Sequence, residues 1–293
     1  MGPIEPILST FIIQCLHGVV YGMLLFLVAS GLTLVFGMMS VLNIAHASFY
    51  MLGAYFSYQM FRIIGNFWIG LIVCPILVGL LGIVMERFLL RRVHAAGHVQ
   101  ELVITFGILF VINEAVKWIW GTTSLQIPTP SILSGSVAIM GSVYPAYRIF
   151  ILFFSLAVLG FLAYILMKTR LGITVRAAVS DRDMVSALGT NTQYLFMLIM
   201  GIGSWLAGLG GAIAGPFMST YPGMASDILA DCFVVTVTGG LGSLWGAVVA
   251  SFIIGQLSSF GILFIPRFAI VFPFLLMAVV LIIKPSGLFG EKA

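Results

Sequence analysis

Few residues in this chain of 293 have the type and spacing to do chemistry, and most of them are polar groups set in apolar sequence. Asn43 and His46 stand three apart in Val41-Leu42-Asn43-Ile44-Ala45-His46-Ala47-Ser48, so on a helix they share a face. Polar groups in such surroundings are costly unless paired. Either the two face a partner or a water path, as translocation-path residues, or Asn43 bonds to backbone and His46 sits at the membrane edge. Asp227 and Asp231 lie four apart where a helix begins, a place the dipole makes favourable for carboxylates. Ser226 is the expected cap, and capping competes with substrate contact as their role. Glu114 and Lys117, three apart, are expected to pair.

None of this makes an enzyme. There is no G-x-x-x-x-G-K-[ST], and the nearest glycine-rich run, Gly239-Gly240-Leu241-Gly242-Ser243-Leu244-Trp245-Gly246, has no Lys to reach a phosphate. No HExxH, CxxC or GxSxG occurs. His17, His46, His94 and His98 have no partners at metal-ligand spacing, and Cys15, Cys74 and Cys232 all lie in apolar runs, where they pack as small hydrophobes. No catalytic residue, cofactor or metal is expected in the chain itself.

The polar stretch 168–193, KTRLGITVRAAVSDRDMVSALGTNTQ, is basic and lies between two long apolar runs. Gly172 permits a sharp bend off the membrane. Val175, Ala178, Val179, Val185 and Leu188 then form an apolar face at helical spacing. Asp181 is placed to cap a helix starting near Arg182, and Gly189 to stop it. The pattern reads as a short helix small enough to sit in a groove on another protein, a lever for a cytoplasmic partner. A solvated loop whose arginines only set topology is the alternative.

These segments need elements to hold them, and the composition says which. Of the residues, 61% are hydrophobic and 8% charged, against roughly 25% charged in soluble domains. The net charge of +4 reflects basic loops beside a membrane, with no call for nucleic acid. Nine apolar segments are candidate spans: 11–36, 48–60, 67–85, 102–118, 149–167, 194–216, 228–237, 244–260 and 268–283. Two of them, 48–60 and 228–237, are short and adjoin Gly-rich or polar breaks, which suggests broken or re-entrant helices. The first ten residues contain no Lys or Arg, so no cleaved signal peptide is expected.

Orientation follows from charge. With 86–101, 168–193 and the C-terminus inside, Arg87, Arg91, Arg92, Lys168, Arg170, Arg176, Arg182, Lys284 and Lys292 are cytoplasmic. Arg62, Lys117, Arg148 and Arg267 are left outside, four of the 13 basic residues. The N-terminus is then external. Crossing or re-entry by 228–237 decides the parity. Trp68, Trp118 and Trp120 fall at external span ends, and the uncharged 121–147 is expected to form an ordered cap or extended loop. Arg62, Arg148 and Arg267 either snorkel or dock an acidic soluble partner. Ser204, Gly208, Gly211 and Gly215 line one helix face, and with Gly18-x-x-x-Gly22 and Gly242-x-x-x-Gly246 they predict tight helix packing that can still let a bundle slide.

Several ordered blocks resemble a known family. Gly31-Leu32-Thr33-Leu34-Val35-Phe36-Gly37 leads into Val41 to His46 and then Phe49-Tyr50-Met51-Leu52-Gly53-Ala54-Tyr55. Thr169-Arg170-Leu171-Gly172, Arg176-Ala177 and Ala187-Leu188-Gly189 follow, then Gly239-Gly240-Leu241-Gly242-Ser243 and Pro285-Ser286-Gly287-Leu288-Phe289-Gly290. Together they resemble the LivH-type permeases of branched-chain amino-acid ABC importers over nearly the whole chain. Ala47 and Ser48 depart from the family's usual Gly and acidic residue.

The resemblance implies an all-α, polytopic transmembrane bundle of about eight to ten helices, some short or broken, like a type II ABC importer and forming a single domain. It implies a multi-pass protein of the bacterial inner membrane, with a periplasmic N-terminus and a cytoplasmic C-terminus. Its partners would be a homologous LivM-type permease, two cytoplasmic ATPases carrying ATP and Mg, and a periplasmic solute-binding protein. The cargo would be branched-chain amino acids or related small polar solutes such as urea and amides. Coupling to the ATPases would fall on Arg176, Ala177, Asp181, Arg182, Asp183, Ala187, Leu188 and Gly189. A secondary transporter would need ion-coupling groups near mid-membrane, and a passive channel would need no coupling segment.

Overall fold

In a computed structural model the described residues are 4–39, 43–94, 96–139 and 141–290, apart from the side chains of 4–7 and 182. Val41 and Leu42 of the Asn43 motif lie outside them, as do Lys292 and the side chain of Arg182. The elements in order are α1 (Ile4–Met39), α2 (His46–Ile64), α3 (Phe67–Met85), a π-helical turn Glu86–Leu90 running into α4 (Arg91–Val93), and α5 (His98–Trp120). A hairpin of β1 (Ser136–Ile139) and β2 (Ser142–Pro145) precedes α6 (Ala146–Lys168). Then come α7 (Arg170–Ser180), α8 (Arg182–Ala187), α9 (Thr192–Ala214), α10 (Met224–Gly239), α11 (Leu244–Phe264) and α12 (Val271–Ile283).

The long helices run up and down between two ends. The apical end carries 65–66, 121–145, 215–223 and 265–270, and the basal end 86–97, 169–191, 240–243 and the tail 284–290. Leu125 and Thr220 bridge at the apical end through paired backbone hydrogen bonds of 2.8 Å. At the basal end Gly242 meets Gly37, and the tail donates from Leu288 and Phe289 to the Thr238 and Gly239 carbonyls. So α10 traverses the bundle from end to end, and the described chain starts and finishes at opposite ends. The hairpin and a short 3-10 turn at Ser131–Leu133 give the uncharged apical segment its ordered form.

Six helices among the described residues are long and apolar enough to cross a membrane: those at Leu8–Met39, Phe67–Val93, His98–Trp120, Ala146–Lys168, Thr192–Ala214 and Leu244–Phe264. Helices α5 and α6 are only 17% and 28% buried over their most apolar stretches, which places them at the rim of the bundle, whereas α1 and α9 are 78% buried. The expected break in 48–60 is absent. Here α2 is one continuous helix of 19 residues, closed by Gly65 at φ 72°. Its first ten residues are all buried, so its Ser, Tyr and His content is shielded from lipid by its neighbours. Likewise α10 is a continuous 16-residue helix whose N-cap is Gly223, so Ser226 sits inside the first turn and is no cap.

Lipid offers helices no hydrophobic reason to pair, so association relies on close van der Waals contact between small residues. In this bundle α9 supplies most of that contact. Gly203 lies against Gly31 of α1, and Gly210 against Val28. Gly208 and Gly211 lie against Gly53 and the Tyr50 backbone of α2, while Gly82 of α3 lies against Ser204. On the other side of α1, Gly18 and Gly22 meet Gly255 and Gln256 of α11. There Gln256 Nε2 donates to the Cys15 carbonyl at 3.0 Å and Ser259 Oγ to the Gln14 carbonyl at 2.8 Å. Gly239 and Gly246 bring α10 and α11 into backbone contact.

A methyl at Gly211 would overlap the Tyr50 carbonyl, a backbone atom that no rotamer change can move aside. Gly211→Ala should therefore cost at least the ~1–3 kcal/mol of ordinary overpacking. Gly107→Ala is the control, since Gly107 sits mid-helix on α5 with nothing within 4 Å of the added methyl. It should be neutral or gain ~0.5–1 kcal/mol from helix propensity. Thermal unfolding of both variants in one detergent decides the matter.

Candidate functional site

The basal segment between α6 and α9 is two capped helices. The bend falls at Thr169, whose side chain accepts from the Gly172 N–H at 3.2 Å and so caps α7. Gly172 lies inside α7 and not at the bend itself. It lacks a Cβ where α7 folds back on the Ile165 and Leu166 carbonyls at the end of α6. Arg176 reaches back to donate to the Leu166 carbonyl, satisfying one of the acceptors that a helix end leaves free. Asp181 then caps α8 by accepting from the Met184 N–H at 2.9 Å. Gly189, at φ 87°, ends it in a conformation that a side chain would strain.

Burial divides the segment into two faces. Val175, Ala178 and Val185 point into the bundle. Val179 and Leu188, read from sequence as part of that face, point out instead, as do Ile173 and Met184; Leu188 is 78% exposed. The two helices meet across the Asp181 turn, which rotates the second pattern relative to the first. Arg176, Ala177, Asp181, Asp183, Ala187 and Gly189 are exposed as well.

The other sequence candidates are placed as follows. Asn43 precedes α2, so it shares no helix face with His46; its carbonyl accepts the His46 N–H at 3.1 Å. Both side chains are buried in this chain's own interior. Asn43 Nδ2 lies 3.6 Å from Met200 Sδ on α9, and a ring nitrogen of His46 lies 3.0 Å from the Val28 carbonyl of α1. Asn43 Oδ1 and His46 Nδ1 have no hydrogen-bond partner among the described residues. Ser204, Gly208, Gly211 and Gly215 are all buried, the last against Ile127. Arg62, Arg148 and Arg267 are all apical. Arg62 and Arg267 are exposed and make no ion pair among the described residues. Arg148 is half-buried: its guanidinium lies 2.5 Å from a His17 ring nitrogen and 4.9 Å from the Phe217 ring centroid. Glu114 and Lys117 pair at 2.6 Å.

Sequence reading missed one basal cluster. His94 donates from Nε2 to Glu86 Oε1 at 2.7 Å and from Nδ1 to Glu101 Oε1, which takes both imidazole protons. The two carboxylates are 2% and 4% exposed, and Phe196 of α9 packs edge-on against the imidazole. Glu101 lies on α5, beyond the turn that follows α4, so no single helical period links the three residues. Only the unusual depth of Glu86, in the π-helical turn, marks the site. Burial works to lower the His94 pKa. Hydrogen bonds to Glu86 and Glu101 and their charge outweigh it and hold the imidazole above its ordinary 6.5.

Residues 14–283 match the family model described as "Branched-chain amino acid transport system / permease component". The chain is 27% identical over 298 residues to the high-affinity branched-chain amino acid transport system permease protein LivH of Salmonella typhimurium, covering 96% of each. It is 25% identical over 302 residues to the corresponding permease protein BraD of Pseudomonas aeruginosa, covering 98% of each. A probable LivH of Methanocaldococcus jannaschii is 24% identical over 299 residues, covering 93% of this chain and 90% of that one. No solved structure matches.

The His94 cluster gives the basal end a pH dependence with a definite sign. A group whose pKa is raised on folding adds stability that is fully present below its unfolded value, near 6.5, and lost as pH climbs through the raised one. The melting temperature of wild type should fall as pH is taken from mildly acidic to alkaline. His94→Ala leaves two buried carboxylates unbridged and should cost about 3–5 kcal/mol, with this part of the pH slope removed. Melts of both proteins across that range provide the check.

Proposed function

The chain belongs to the branched-chain amino acid transport system / permease component family, and we propose that it is the permease subunit through which an ATP-driven importer passes branched-chain amino acids or related small polar solutes. One observation carries the mechanism: a rigid, doubly capped arm, α7–α8, holds one apolar face against its own bundle and turns a second to solvent. A loop that only sets topology has no use for four large apolar side chains, Ile173, Val179, Met184 and Leu188, turned outward. A lever seated in a groove of a nucleotide-binding subunit does. Asp181 and Asp183 flank that surface and supply charge pairs, and the small Ala177 and Ala187 allow close approach. ATP and Mg belong to the two partner ATPases, since this chain lacks a phosphate-binding loop.

The rest of the assembly follows from the two ends. Nine of the 13 Lys and Arg are basal or in the C-terminal tail, so that end faces the cytoplasm of a bacterial inner membrane and the apical end faces the periplasm. A homologous second permease closes the solute path. Arg62 and Arg267 dock acidic groups of a periplasmic binding protein, while Arg148 braces His17 and Phe217 behind them. The contacts of α9 with α1 and α2 include backbone approaches at Gly203, Gly208 and Gly211, and a push from α7–α8 moves α9 along them. Such a shear brings the unpartnered Asn43 Oδ1 and His46 Nδ1 towards the path.

Leu188→Asp places a charge at the centre of the seating surface and should weaken association with the ATPase subunits by about tenfold or more, as loss of a central apolar anchor does. Ala187→Trp should leave the complex assembled but uncouple hydrolysis from uptake by overpacking the seat. Proteoliposomes measured for both uptake and ATP hydrolysis test this. Full coupling in both variants would remove α7–α8 from the mechanism, and saturable ATP binding by the isolated chain would remove the division of labour.

A further inference from the structure

At the apical end a small cleft open to solvent lies between α1, α2 and α10. Two carboxylates line it. Asp227 and Asp231 are four apart on α10 and so face the same way. Tyr21 of α1 donates its hydroxyl to Asp231 Oδ2 at 2.5 Å, and Tyr221 donates to Asp227 Oδ2. No Lys, Arg or His lines the cleft, and among the described residues neither aspartate has a cationic partner. The hydrogen bond to Asp227, and then burial, pushes the Tyr221 phenol up to about 12, so it is a neutral donor at ordinary pH.

A third hydroxyl is the independent clue. Tyr50 of α2 is 4% exposed and lines the same cleft, yet its hydroxyl has no hydrogen-bond partner among the described residues. The ring is buried while the hydroxyl opens to the cleft, where a ligand can reach it. The helix dipole accounts for Asp227 in the first turn of α10, but not for Asp231 a turn further on, nor for the idle Tyr50 hydroxyl. Each carboxylate has one tyrosine donor and no cationic partner among the described residues, so its acceptor capacity, with the Tyr50 hydroxyl oxygen, exceeds the donors around it. The rest of the lining is the buried Leu24, Met224 and Ile228 with the more exposed Met218 and Ser219.

We propose that this cleft receives a primary alkylammonium group, the amino end of the solute. Its three N–H bonds go to Asp231, Asp227 and the Tyr50 hydroxyl, and its alkyl chain lies along Leu24, Met224 and Ile228. The assignment of the alkylammonium to transported cargo rests on the importer reading; the cleft's preference for the group does not. At the apical mouth, facing the side from which solute is delivered, such a site favours solutes carrying an amine over amides and urea.

The test uses the assembled complex in lipid nanodiscs, with isopentylamine as probe and isopentanol and 4-methylpentanoate as neutral and anionic controls of similar shape. Saturation-transfer NMR should show binding of the amine and not of the controls. Asp227→Asn with Asp231→Asn should weaken it by about tenfold or more, as expected for hydrogen bonds to a charged group. Tyr50→Phe removes only an unpartnered hydroxyl, so it should weaken the amine several-fold with an unchanged melting temperature. Equal binding of alcohol and amine, amine binding insensitive to these changes, or displacement by sodium but not by choline would each overturn the assignment. The ATPase response to delivered solute is read in the same preparation. No amine binding in a complex whose ATPase responds overturns the cleft alone, while amine binding in a complex with no responding ATPase overturns the importer reading and leaves the cleft standing.

Discussion

The whole bundle depends on how closely the backbone of α9 approaches three others. In water, side chains that meet expel solvent and gain from it; in lipid they exchange one hydrocarbon contact for another. What remains is dispersion, which falls steeply with distance. Glycine on both partners gives the shortest approach, and α9 has it towards α1 at Gly203, towards α2 at Gly208 and Gly211, and towards α3 next to Ser204. The same device recurs where α1 meets α11 and where α10 meets α11. Larger side chains at these points would hold the helices apart, and nothing else among the described residues would replace the lost contact.

Close packing around α9 also explains why α2 can carry so many polar groups. A helix with two serines, three tyrosines, a histidine and an arginine is poorly suited to face lipid. Enclosed by α1, α3, α9 and α10, it does not have to. The interior nevertheless holds hydroxyls without partners, among them Ser48, Ser57 and Ser204. In a fixed core each would be a loss. In a bundle that works by alternating between arrangements, a hydroxyl idle in one state is available to the other.

The long apolar runs showed the spans because the membrane imposes a length and a composition on every helix that crosses it. The range 67–85 coincides with α3, and the Asp181 cap and the Gly189 stop were readable because both are local backbone chemistry. What stayed hidden involves distance along the chain. His94 with Glu86 and Glu101, Arg148 on His17, and the Tyr21–Asp231 bond join residues that no period connects. Leu188 was misassigned because a turn of unknown angle separates α7 from α8, and Val179 because it was grouped with Val175 and Ala178 although it lies past the edge of their buried face on the same helix. The apparent weakness of 48–60 had a similar origin: low apolarity looked like a broken span when it belonged to an enclosed one.

The geometry also ties the two ends together. Helix α1 runs 36 residues, reaching from Tyr21 beside the apical cleft to Gly37 at the basal contact with Gly242. The other long wall of that cleft, α10, ends at Gly239, where the C-terminal tail is hydrogen-bonded. Neither has a proline between those points to act as a hinge. A helix held at both ends moves as a rod, so a displacement at the base, where α7–α8 folds back beneath α6 and α1, cannot be absorbed along the way. It must appear at the Tyr21–Asp231 contact or break the Gly37–Gly242 one. The glycine contact has no side chain to lock it, whereas the Tyr21 hydroxyl and Asp231 carboxylate are held at 2.5 Å. The Tyr21–Asp231 bond thus ties α1 to α10 at the acidic cleft, while the Gly37–Gly242 contact at the base carries no such side-chain tie.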